Sequence, residues 1–466
     1  MADAPPNNKL RQYLSELKPE ARALLASELE RALLRGEAPP GASAILEQLR
    51  KTARREGRKL PRVGNPQRLF FTAAEPFLVD DLPEHKHLGR IARASLDRIW
   101  KWICRDLMLR EARSYSDHVQ LLLAANEKSG AEQVARAFQN LAEQRLRECL
   151  AGIKRDEKAL RQVAGQIGTP HAIDEVRELA AILRARDALG IIGSRLPATI
   201  SNLAGEQLEN VRALLDSPIG RHRDVFLYAL LIVMGRLGSP WQLIRLAIHA
   251  AASDVADHIA ATPFAIAVDV VLGDFDRIVT NLRDALKTAD SDEIGRLLRD
   301  FHDAARALHT EIELPPDSTW GRQLAAARAE IASLLEGEID DLPGQVRRLL
   351  RPRKGREGLT PLDSIDVDDV DAKLALVAAC RNYAAELAVS EATRRVHSEL
   401  QSYFDNGTDV LLERLRAAPP AERALRQSQV DAAIRFCAKL FGAEYAGTLA
   451  RAADIAAKEE PKAARG

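Results

Sequence analysis

The span 75–87 gathers the residue types that bind metals and move protons: Glu75, Asp80, Asp81, Glu84, His85 and His87. Carboxylate oxygens and imidazole nitrogens converging from several directions hold a divalent cation. A metal-dependent active site here would draw on Asp80, Asp81, His85 and His87. Their spacing matches no metal motif, and the competing reading is polar side chains facing water while Phe77, Leu78 and Val79 pin the segment down. The whole stretch 69–87, LFFTAAEPFLVDDLPEHKH, is rich in apolar residues without helical or strand periodicity. Loops usually carry polar residues, so this content suggests a segment that packs along helices, shapes a pocket or docks a partner. Phe70, Phe71, Phe77 and Leu78 are the candidate partner-binding residues, together with Trp102, which falls off the stripe of the helix that follows.

A second chemistry is offered by 50–68, RKTARREGRKLPRVGNPQR, in which Glu56 is the only acid. Lys and Arg on a flexible segment contact phosphates without reading sequence, which makes Arg50, Lys51, Arg54, Arg55, Arg58 and Lys59 candidates for nucleic-acid binding. Gly57, Pro61, Gly64 and Pro66 interrupt any regular helix, so an exposed arm is expected. Aromatic residues for base stacking appear only at its edge, in Phe70 and Phe71. Basic and acidic residues balance at 67 each, which favours pairing of the arm with acidic surface on the same chain.

Histidines fall within helical patterns at His222, His249, His258, His302 and His309. Asp254 and His258 share a face at i, i+4, a coincidence common on charged helices. No HExxH, GxxxxGK[ST] or GxSxG motif occurs, and no GxGxxG follows a strand. These observations point away from an enzyme, and no cofactor is expected. Cys104, Cys149, Cys380 and Cys437 are widely separated and form no CxxC, as suits reduced thiols in a cytosolic protein.

The elements that must position these groups read as helices. Aromatics are 5% of the chain, and Ala, Leu, Arg and Glu, which lose little rotamer freedom in a helix, are abundant. Helices are expected over about 9–35, from Ser43, 88–109, 116–127, 131–167 and 170–189, with Gly168-Thr169-Pro170 as stop, cap and restart. Ser217-Pro218, Ser239-Pro240 and Thr262-Pro263 each resemble a hydroxyl N-cap followed by proline at the first helical position. Ser239 with Gln242, and Asp290 with Glu293, stand at capping-box spacing. The run 225–234, VFLYALLIVM, carries no charge, so its helix must be surrounded by others. It is about half of what a bilayer crossing needs. Further helices are expected over 319–336, 372–404, with Asn406-Gly407 as a stop, 409–418 and 421–441.

The expected organisation is an N-terminal helical segment with the basic arm (1–68), an irregular loop plus long helical hairpin (69–216), a central helical array (217–346), a charged linker (347–371), a C-terminal helical domain (372–457) and a disordered tail (458–466). The fold class is all-α, a multi-helix bundle or an irregular α-solenoid-like array of antiparallel helices. The expected function is a non-enzymatic cytoplasmic scaffold or adaptor that binds another protein, without a membrane span. Nucleic-acid association through 50–68 and metal-dependent catalysis in 75–87 are the alternatives.

Overall fold

A computed structural model describes residues 14, 17–35, 37–55, 60, 64–80, 88–125, 127–154, 156–220, 222–288, 291–351 and 360–458. Among them are 19 α-helices and a single pair of two-residue strands, so the chain is an all-α, multi-helix array. It divides into two compact units. The first comprises Met1–Glu75 and Leu96–Gly168, the second Pro76–Ser95 and Thr169–Gly466.

In the first unit, helices Pro19–Arg35 and Ala42–Arg55 enclose a small core of Leu14, Ala26, Leu29, Leu46 and Leu49. Leu24, in the first of these helices, points outward at 65% exposed. The basic stretch is less irregular than its glycines and prolines suggest. Its first residues continue the Ala42–Arg55 helix, and its last belong to a short helix, Pro66–Phe71. Asn65 starts that helix by accepting a hydrogen bond from the Arg68 N–H at 2.8 Å, with Pro66 at the first position where a missing N–H costs nothing.

The helix expected from Leu88 begins only at Leu96, because Gly89 turns the chain at φ +68° and Ile91–Ala92 is extended. Leu96–Trp102 then widens into a π-turn over Ile103–Leu107, and Leu109–Ala124 follows after a break at Met108. The long helix expected over 131–167 is two: Lys128–Ile153 and Glu157–Ile167. Asp156 separates them, its carboxylate capping the N–H groups of Lys158 and Ala159. Gly168, in the left-handed region at φ +75°, ends the second as expected.

In the second unit, Leu78–Val79 pairs in parallel with Ile91–Ala92. The helix Arg223–Met234, which carries the uncharged run 225–234, is enclosed as that run requires, with Tyr228 to Met234 buried throughout. No helix among the described residues is long and apolar enough to cross a membrane.

The Ser/Thr-Pro steps behave differently from expectation. Ser217 and Thr262 do not cap the next helix. Their hydroxyls donate backward to the carbonyls of Leu214 and Ile259, at 2.6 and 2.9 Å, and close the helix or turn that has just ended. Helices begin instead at Arg223, capped by His222, and at Ala265. Ser239-Pro240 does open a 3-10 turn leading into Ile244–Ala251, but the capping box is not made. Gln242 turns away, taking the Leu203 N–H at 2.7 Å and giving an N–H to the Ser201 carbonyl at 3.3 Å. Asp290 lies outside the described residues.

Thr319–Leu350 runs through Pro343 and past 336, into the first residues of the expected linker. The acidic half of that linker is also helical: Ser364–Asn382 starts with Asp363 capping the Ile365 N–H, and Asp368 and Asp371 hold Arg435 at 2.7 and 2.9 Å. Carboxylates in a first helical turn suit the helix dipole. Asn406-Gly407 stops nothing. Ser390–Arg416 passes through it because Leu400, Phe404, Leu411 and Leu415 continue one buried stripe on either side. Helices Pro420–Phe441 and Ala443–Lys458 complete the unit, the second of them unforeseen.

Candidate interaction surface

Most of the apolar residues expected to meet a partner are buried instead. Phe70, Phe71 and Trp102 in the first unit, and Phe77 in the second, are all at most 3% exposed. Phe70 and Phe71 meet edge to face, and both rings pack on Trp100. Tyr115 stacks on Phe138 at 4.3 Å and donates its hydroxyl to the Pro66 carbonyl at 2.7 Å. Gln139, itself buried, closes the arrangement by donating to the Phe70 carbonyl at 2.8 Å. Trp102 donates its indole N–H to Gln166. Phe77 sits edge to face on Tyr228. Their apolar content secures the interior, and only Leu78 stays half-buried.

In the basic stretch, Arg50 donates to Glu30 at 2.5 Å, and Arg68 binds the same carboxylate. Glu30 is 3% exposed, so this hub works in a poorly screened environment. Lys51 pairs with Glu47 at 3.2 Å. The side chains of Arg54 and Arg55, and the whole of Arg58 and Lys59, lie outside the described residues.

Of the proposed metal ligands, Asp80 pairs with Arg93 at 3.2 Å, while Asp81, His85 and His87 lie outside the described residues. Among the described residues no group of three His, Cys, Asp or Glu side chains could hold a metal ion. The histidines on helices serve local contacts. His222 caps Asp224, His249 bridges Glu209 and Arg212, and His309 meets Arg328. Ser253 and His258 stand 2.9 Å apart, but the same Ser253 oxygen accepts the Val255 N–H and closes a turn.

A concave feature among the described residues joins two helices whose pairing no sequence signal indicates. It is a shallow groove of about 740 Å³ lined by Arg347, from Thr319–Leu350, and by Arg395, Ser398, Glu399, Ser402, Tyr403, Asn406 and Gly407, from Ser390–Arg416. Ser398, Ser402 and Asn406 recur every fourth residue and form its floor. Asn406 donates to the Ser402 carbonyl at 2.7 Å. Gly407 faces open space, where a Cβ would meet nothing within 4 Å. Arg347 forms the lip: it binds the Glu399 carboxylate, and its guanidinium lies 5.9 Å from the Tyr403 ring centroid. Arg395 pairs with Asp340 at 2.5 Å.

Burial raises the Tyr403 phenol above its ordinary value, against the opposing pull of Arg347 and Arg414. Tyr403 is therefore a neutral donor with an apolar face at neutral pH. The groove offers guanidinium, hydroxyl and amide donors with one aromatic face, and no hydroxyl in it has an imidazole base beside it. Such a set can donate several hydrogen bonds to a polar ligand. It was illegible in the sequence because Arg347 and Tyr403 belong to different helices, and the Asn406-Gly407 dipeptide reads locally as an end.

No protein-family model, curated protein or solved structure matches this chain.

Proposed function

We propose that this chain is a non-enzymatic helical scaffold or adaptor that binds another protein, and that a partner segment lies in the groove bounded by Arg347 and Tyr403. The observation that carries this reading is the groove itself: shallow, and lined by guanidinium, hydroxyl and amide donors of the kind that recognise a peptide. Exposed ion pairs are individually weak. A carboxylate on the partner can therefore take the place of Glu399 on Arg347 at little cost, while Tyr403 supplies the rigid amphipathic contact common at protein interfaces.

The test is affinity purification of the full chain, from cells that express it, against an Arg347→Glu/Tyr403→Ala variant of unchanged helicity. The expected result is a discrete protein that co-purifies with the wild type, binds it again after purification, and is retained at least ~10-fold less by the variant. Equal retention by both would remove the groove from the function.

A further inference from the structure

We draw no further inference here: the strongest candidate, the side-chain cluster of Glu175 and Glu178 on the helix Ala172–Arg195, has its carboxyl groups bonded to the backbone N–H groups of Ala92 and Gly89 and to the Thr169 and Tyr228 hydroxyls, which leaves only their titration, and that points to no ligand or partner.

Discussion

Glu175 accepts a hydrogen bond at 3.0 Å from the backbone N–H of Ala92, from which it is separated by 83 positions in sequence. Thr169 donates to the other carboxylate oxygen at 3.3 Å. One helical turn further on, Glu178 takes the Tyr228 hydroxyl at 2.6 Å and the N–H of Gly89. The helix Ala172–Arg195 thus holds the backbone of Gly89 and Ala92 through two carboxyl groups one turn apart.

Burial raises both carboxyls above the ordinary glutamate range, against the hydrogen bonds they accept and the nearby charges of His171 and Arg177. A carboxyl raised in the folded state binds protons that the unfolded chain releases. Its contribution is complete below the unfolded value and is lost as pH rises through the folded one. Glu175→Gln keeps an acceptor for Ala92 without the charge, so its stability relative to wild type should improve as pH rises from about 4, the ordinary glutamate value, towards neutral. Urea midpoints across that range measure the difference, and a difference that does not vary with pH would count against the buried-carboxyl account.

Gly89 holds φ +68° beside Leu227 and Leu231, and an added Cβ would stand 2.7 Å from a Leu231 methyl. Leu231 can shift, so the backbone conformation sets most of the cost. Gly89→Ala should destabilise the chain by about 1–2 kcal/mol, read as a lowered midpoint in urea with an unchanged slope.

Gln429 is 1% exposed and donates to the carbonyls of Leu350 and Arg351, at 3.4 and 3.1 Å, where Thr319–Leu350 ends. Gln429→Met preserves the volume and removes the donor. Leaving buried carbonyls unpaired costs about 1–3 kcal/mol, whereas Gln427→Met, at a half-buried position two residues away whose amide donates to Asp431 on its own helix, should stay within about 0.5 kcal/mol of wild type. Thermal denaturation of the two variants side by side checks this.

Glu30 is the common acceptor for Arg50 and Arg68. Glu30→Ala should destabilise the first unit by about 1–3 kcal/mol, as loss of charge-assisted hydrogen bonds does. Because the carboxylate is buried, the loss should change little between low and moderate salt. Hydrogen exchange of Ala42–Arg55 measured at both salt concentrations tests it, and a defect that disappears with salt would mean the hub is solvent-screened.

The sequence by itself determined the helical class, the left-handed stop at Gly168 and the enclosure of Arg223–Met234. These follow from composition, from the absence of a side chain and from an apolar surface that has to be covered, all of which act locally. The tertiary structure alone decided how ambiguous local signals resolve. The Ser217 and Thr262 hydroxyls donate backward, and the bond that Ser217 accepts from the Gly220 N–H closes a turn that does not grow into a helix, an outcome on which sequence spacing is silent. Ser390–Arg416 overrides Asn406-Gly407 because burial of Leu411 and Leu415 outweighs a propensity cost of about 1 kcal/mol. Phe70, Phe71, Phe77 and Trp102 looked like a docking surface because their covering residues, among them Trp100, Phe138 and Tyr228, come from other parts of the chain. The buried glutamines Gln139, Gln242 and Gln429 each satisfy the backbone of a distant segment. The Arg347–Tyr403 groove arises in the same way, from two helices that meet only once the chain has folded.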